Sequence, residues 1–460
     1  MSFEVRRVTN GPKHHLFGFH DLVMTNAKGD LALALEVDDI SHPPLPGETC
    51  VSGVLDLSNA SNVSNFRAIH RTATWNYPQG ARQQWIGDAD LFVCNDREDD
   101  GRLVARVSDA CAGRVVDTLP FPVHCQMRGK AFYFNYDRVH ACGGYGYHPG
   151  KGLKSVKGVE GFDDIPMDDG IFVGDLKTKE HRLLVAIAEV AACGEKRPVK
   201  TGYPHYLTHL MLNPSGTRLC FLHRYRVPDG GETTRLMTVG VDGTELRCLA
   251  KGFLSHFTWL SDDEIFIWGK DERALCKMRE AAWLRIPGVL QMALLAKKGV
   301  KGLKGVGGLG HGERRVGQDK AFLRIRDVEG AELGKVAIGV LTEDGHPMAC
   351  PGRLHYLVND TYPNADGDRW LMFYDVDKDE RVNVGQFRRL FKEPDCATFD
   401  WRASQTGMDP RVLKKFPRDL YLFARSGFHC DLHPRWSADG KTAFFDSIHE
   451  GTRQIYAVQG

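Results

Sequence analysis

Short runs of alternating apolar and polar positions fill most of the chain, and tight turns punctuate them. Asn213-Pro-Ser-Gly216 leads into Arg218-Leu-Cys-Phe-Leu222, Ser437-Ala-Asp-Gly440 into Lys441-Thr-Ala-Phe-Phe445, and Asn26-Ala-Lys-Gly29 into Asp30-Leu-Ala-Leu-Ala34. Looser copies start at Ile86, Arg128, Leu260 and Pro351. Each is a Gly, Asp or Asn turn followed by a β-branched or aromatic strand. Second hairpins at Leu176-Lys-Thr-Lys179 and Val241-Asp-Gly-Thr244 imply four strands per copy. Seven such units predict an all-β fold, a seven-bladed β-propeller, which leaves no long exposed sheet edge.

Two segments interrupt the pattern. Residues 271–320 carry a helical stretch from Glu272 to Leu284, then Lys297, Lys298, Lys301 and Lys304 among glycines. Residues 385–428 mix apolar, charged and Pro positions and read as an insertion between the sixth and seventh units. The basic stretch at 297–315 reads as a solvated loop, with contact to an anionic surface as the alternative.

Composition narrows the picture. A length of 460 residues suits two or three average domains, but the repeat absorbs it into one propeller over residues 1–460, with two insertions. The net charge of +1 argues against a dedicated nucleic-acid binder. Twelve cysteines lie singly with no CxxC spacing, against a disulfide framework or a zinc ribbon. The opening MSFEVRRVTNGPKHH has no apolar core of the kind a secretory signal needs, and the apolar stretch Val289 to Ala296 is too short to span a membrane. The expected location is the reducing cytoplasm.

Candidate chemistry emerges when equivalent positions are compared. His256 and His433 each precede a Trp by three residues just before a turn, and His209 lies at the same distance from its own turn. His346 is one residue closer, Arg82 takes the matching place before Trp85, and His20 opens the first copy. The first strand of each blade lines the central channel, so these six side chains are expected to converge. The alternative is that they bond neighbouring blades. Second strands end at the same face with His223 and Arg224, with Arg138 and His140, with Tyr362 and with His449, while the third copy runs on into Gly143-Gly-Tyr-Gly-Tyr147. A mouth rich in His, Tyr and Arg suits an anionic, hydroxyl-rich ligand. His256, His346, Cys430 and His433 together would suit a divalent metal such as zinc, unless Cys430 is simply a small buried residue.

Three motifs are set aside. Gly305-Val-Gly-Gly-Leu-Gly310 matches a dinucleotide pattern but has no βαβ context, so no nucleotide is expected. Asp375, Asp377 and Asp379 imitate an EF-hand start, but Glu380 stands where Gly is required. The sequons at Asn59 and Asn62 mean nothing without secretion.

The segments His209-Leu-Met-Leu-Asn-Pro-Ser-Gly-Thr-Arg218 through Arg224, and Cys430-Asp-Leu-His-Pro-Arg-Trp436 through Ser447, resemble the propeller polysaccharide lyases, which include oligogalacturonate and ulvan lyases. The resemblance implies a seven-bladed propeller and β-elimination at a uronic acid. It places Arg224 on the carboxylate and His140 and His209 in base or acid roles, with Tyr147 or Tyr206 as an alternative acid. His124 is also within reach, but His140 is preferred because its strand end should face the site. Arg82, His20, His223 and Tyr362 are left to bind an anionic oligo- or polysaccharide. A bound metal, zinc or manganese, is either structural or neutralises the carboxylate. Secreted lyases carry a signal; without one, the chain would process imported oligosaccharides or serve surface-polysaccharide synthesis. The competing expectations are a non-catalytic propeller binding a glycan or a protein, and a hydrolase or epimerase using the same mouth.

Overall fold

The computed structural model describes residues 3–58, 66–148, 163–196, 198–281, 320–391, 407–414 and 418–460, with five isolated positions between 284 and 292. The described chain is mostly β-strand, arranged in six antiparallel sheets. Five sheets have four strands. The sixth has seven, between residues 206 and 336, because the long strand Arg247–Trp259 pairs with Glu232–Gly240 through its first half and with Glu264–Asp271 through its second. It thus ends one four-strand run and begins the next.

The last sheet joins the two ends of the chain. Val5–Arg7 lies antiparallel to Gln454–Gln459, with Val5 opposite Val458. Apolar clusters then bridge successive sheets. One joins Leu33 and Val54 to Phe92 on one side and to Phe444 and Ile455 on the other. A second joins Met348 and Val358 to Trp436 and Phe445. Strands buried on both faces explain why several segments read as continuous apolar runs.

Short helices sit between strands. α1 (Tyr136–Ala141) is capped by the Asn135 side chain, which accepts from the Arg138 N–H. α2 (Ile187–Ala192) follows the outer strand His181–Ala186, and α3 (Arg273–Arg279) follows the inner strand Glu264–Asp271, within the expected helical stretch. In the later insertion lie α4 (Pro410–Leu413) and α5 (Arg418–Arg425), while the strand before it runs on to Arg388, past the expected start at 385. The basic stretch at 297–315 and the Gly305–Gly310 motif lie outside the described residues. Every described cysteine is free. No described helix is long and apolar enough to cross a membrane.

Candidate active site

Five histidines from five strand runs surround one aromatic side chain. The Phe19 ring lies 4.3 Å from His20, 4.9 Å from His209, 5.2 Å from His433, 6.1 Å from His256 and 6.3 Å from His346, centroid to centroid. His256 and His433 each lie within 4.3 Å of His346. The expected convergence at the first strands is therefore present.

Local backbone irregularity creates it. The ladder slips between Thr208 and Met211, and again between Leu254 and Phe257, just where His209 and His256 sit. A bulge re-aims a side chain out of the regular alternation. His209 and His433 adopt left-handed φ values of 60° and 41°, as does Arg82 at 53°. Such values are unusual for residues with a Cβ and cluster where function over-determines the backbone.

The ring is short of hydrogen-bond partners. Both nitrogens of His20, Nδ1 of His209 and Nε2 of His124 are buried with no partner among the described residues. Leaving such a group unpaired costs about 1–3 kcal/mol. Burial, reinforced by the neighbouring cationic groups, pushes His20, His209 and His433 well below the ordinary imidazole range. They are neutral bases at neutral pH.

His346 behaves differently. Burial alone would lower it, but Asp360, Asp431 and Asp344 outweigh burial and raise it. Its Nδ1–H donates to both Asp360 oxygens at 2.8 and 3.0 Å, leaving Nε2 open, 3.4 Å from the Tyr362 hydroxyl. His433 Nδ1–H donates to the Gly18 carbonyl at 3.0 Å, so its Nε2 is likewise open. Asp360 also accepts from the His433 backbone N–H. His346, Asp431 and His433 offer ligand atoms all within 4.8 Å of one another. Asp431 accepts from His429 at 2.9 Å, and its Oδ1 is buried and unpartnered. Two imidazoles with preset tautomers plus an ionised carboxylate fit a divalent cation such as zinc or manganese. His256, held by Asp344 at 3.1 Å, stands beside this group.

Beside the histidines, Tyr206 donates to Glu232 at 2.8 Å, and Glu232 lies 3.9 Å from Arg224. Arg224 Nε makes no hydrogen bond among the described residues. Arg224 and His209 are near enough to influence each other's charge. One part of this region therefore holds a guanidinium beside a neutral imidazole, and another holds the candidate metal ligands.

Several expected residues lie elsewhere. Arg82 is fully buried, held bidentately by Asp21 at 2.7 and 2.9 Å and by the His124 carbonyl. His223 neighbours Arg224 on one strand, so its side chain takes the opposite face, where it bonds His205 at 3.0 Å and accepts from Arg235. His140 is on α1 rather than at a strand end; its ring lies 5.3 Å from His148, and it lines a small cavity with Trp75, Tyr421 and Arg425. Tyr147 is buried in the wall, stacked on Tyr136 at 4.4 Å and accepting from Asn95. Cys430 packs in an apolar cluster with its thiol pushed up by burial; Asp431, one residue on, supplies the third ligand.

Asp360, Asp344 and Asp431 were given no role from the sequence, and His124 was weighed there only as second to His140. His124 holds the third-unit equivalent of the ring positions, just before the strand Cys125–Met127, and the repeat register would have found it. The three carboxylates follow no shared register.

No family model matches the chain, and no curated protein does. Among solved structures, an oligogalacturonate lyase in complex with manganese is similar at 12% identity and a TM-score of 0.39, over 100% of this chain and 96% of that one. An oligogalacturonate lyase from Vibrio parahaemolyticus gives 11% and 0.38, over 100% and 97%. The tricorn protease gives 10% and 0.43, over 97% of this chain and 34% of that one. At this level of likeness no activity transfers to the chain.

Proposed function

We propose that the chain is a seven-bladed propeller whose channel carries a lyase site for uronic-acid-containing oligosaccharides, cleaved by β-elimination. The seven four-strand runs, the pairing of the two chain ends and the convergence of first-strand side chains support the propeller. The observation that carries the site is the convergence of five histidines, with His20 and His209 holding buried, unpartnered nitrogens, beside a guanidinium and a preset His–Asp–His group.

β-Elimination needs three things: neutralisation of the uronate carboxylate, removal of the C5 proton, and protonation of the departing O4 oxygen. Arg224 offers donors to the carboxylate, countered only by Glu232 at 3.9 Å. Neutralising that carboxylate acidifies the C5–H. His209, neutral because burial and Arg224 disfavour its charged form, is the base. Tyr206 holds its proton firmly, since burial and Glu232 both raise it, and serves as the acid. His140, on α1, is released from that role. A divalent cation held by His346, Asp431 and His433 would add positive charge beside the bound carboxylate.

The test is incubation with pectic, ulvan, alginate and glycosaminoglycan oligosaccharides while following the absorbance of the unsaturated product. Elimination yields an unsaturated end without added water, so mass spectrometry separates it from hydrolysis. No unsaturated product from any of the four substrate classes overturns the reading.

A further inference from the structure

The segment Gly143-Gly-Tyr-Gly-Tyr147 contains two tyrosines that the fold treats in opposite ways. Tyr147 turns into the wall and is fully buried. Two glycines fix the path between them. A Cβ on Gly146 would lie 2.2 Å from the Tyr136 carbonyl oxygen, and one on Gly144 would meet Val139 at 2.6 Å and the Tyr206 ring at 3.1 Å. The backbone therefore presses against α1 and Tyr206, and this turn leaves the Tyr145 side chain partly exposed while Tyr147 is buried. Asn76 secures this course by donating to the carbonyls of Tyr145 and Gly146.

Tyr145 is only partly covered. The Arg425 guanidinium lies over its ring, 4.1 Å from the centroid. Arg425 comes from α5, nearly three hundred residues away in sequence, and donates to the carbonyls of Gly143 and Gly144, the latter at 2.9 Å. It also lies over Tyr421 at 5.0 Å. No other ring contact to Tyr145 is present among the described residues. Its neighbour Gly144 packs on the Tyr206 ring, whose hydroxyl bonds Glu232 beside Arg224. A partly exposed aromatic ring, braced from one side, thus stands next to the Tyr206–Glu232–Arg224 group.

We infer that Tyr145 is a stacking platform for a second pyranose ring, next to the sugar whose carboxylate meets Arg224, and that Arg425 is the positioning residue that braces it. This rests on the reading above for the class of ligand, an anionic oligosaccharide. A sugar presents an apolar face of C–H groups that an aromatic ring covers well, and a rigid ring loses little entropy when it is held in advance. The platform makes the site select for chains longer than one residue. It also gives the insertion at 407–425 a function: α5 completes the binding surface.

The experiment is calorimetric binding of uronate monosaccharides, dimers, trimers and tetramers to the full chain, with cleavage followed in parallel. Tyr145→Ala should weaken dimer, trimer and tetramer binding about five- to tenfold and leave monosaccharide binding unchanged. Tyr145→Trp should restore it. Arg425→Ala should weaken the longer ligands by a smaller factor, raising KM for them with kcat nearly unchanged. Equal weakening at every chain length in Tyr145→Ala, or no weakening, overturns the platform. Wild-type binding without cleavage overturns the elimination reading while the chain-length pattern still decides the platform. Absence of binding by the wild type at any length overturns both.

Discussion

Two groups of buried histidines lie in this molecule, and they are built on opposite logic. His205 and His223 form a hydrogen-bonded pair in which only His205 Nε2 lacks a partner among the described residues. Arg235 donates to His223 Nδ1 at 3.3 Å, His223 Nε2–H therefore donates to His205 Nδ1 at 3.0 Å, and Tyr225 stacks on His205 at 4.4 Å. Arg235 is itself held by the Val190 and Cys193 carbonyls at the end of α2, and nearby Lys251 pairs with Glu195 and Glu280. The ring histidines around Phe19 do not bond one another. They come from separate strand runs, and their open nitrogens converge. The pair spends its hydrogen bonds on tying neighbouring elements together. The ring anchors His256, His346 and His433 through Nδ1 but leaves both nitrogens of His20 and Nδ1 of His209 unspent, a cost a fold retains where a ligand supplies the missing partners.

The sharpest way to break this contrast is to remove one member of each group. His433→Ala should abolish stoichiometric binding of zinc or manganese, read by elemental analysis, and lower β-elimination at least a hundredfold. In the metal-free protein it removes the hydrogen bond from Nδ1–H to the Gly18 carbonyl, so its effect on stability should be about 1 kcal/mol. His223→Leu should do the reverse. It leaves His205 Nδ1 without its partner while Arg235 keeps the Val190 and Cys193 carbonyls, so denaturant unfolding should show a loss of about 1–3 kcal/mol, with metal content unchanged. If His223→Leu loses the metal as well, the two groups are not separate.

Much of this division was legible in the chain. The turn-and-strand repeat located the ring positions of five units by register alone, because equivalent residues in a closed repeat must meet near one axis. Register failed where single residues decide the face. His223 and Arg224 are adjacent on Arg218–Arg226, and nothing local says which one turns toward the site. His140 was read as a strand end, but Asn135 caps a short helix there instead. Asp360 and Asp431 escaped notice because their value lies in orienting or joining imidazoles that are distant in sequence. Cys430 attracted attention as a thiol three residues before His433, yet its burial among apolar groups makes it a packing residue.

Titration sharpens the comparison further. Burial, then Arg235, pushes His205 down to about 3, and burial, then His205, pushes His223 well below its ordinary range. An unfolded chain takes up protons on these groups near pH 6.5, whereas the folded chain does not until far lower. Stability is therefore present above about pH 6.5 and lost as pH falls below it, by about 1.4 kcal/mol per pH unit for each such group. His346 has the opposite sign: its raised folded value contributes stability below the ordinary range, which is lost as pH rises through that value. Denaturant unfolding of the metal-free protein at stepped pH should show the acid-side loss dominating, since the lowered groups outnumber the raised one. His205→Asn should flatten that slope. An unchanged slope would mean that His205 takes up its proton in the folded state.

The smallest expected effect separates the two tyrosines of Gly143-Gly-Tyr-Gly-Tyr147. The resemblance to the propeller lyases implied Tyr147 as an alternative acid. In the fold its hydroxyl accepts from Asn95 Nδ2 at 3.2 Å, and that same nitrogen also donates to the Val123 carbonyl at 2.9 Å. Removing the hydroxyl leaves Asn95 with a partner, and the ring still stacks on Tyr136. Tyr147→Phe should therefore cost no more than about 1 kcal/mol of stability and change kcat/KM less than twofold. Proton donation to O4 requires the hydroxyl to reach the substrate, and a side chain sealed beneath Tyr136 cannot reach it without moving the wall. A large loss of kcat in Tyr147→Phe, with KM and folding unchanged, would show that the wall opens during turnover and that the acid is Tyr147 rather than Tyr206.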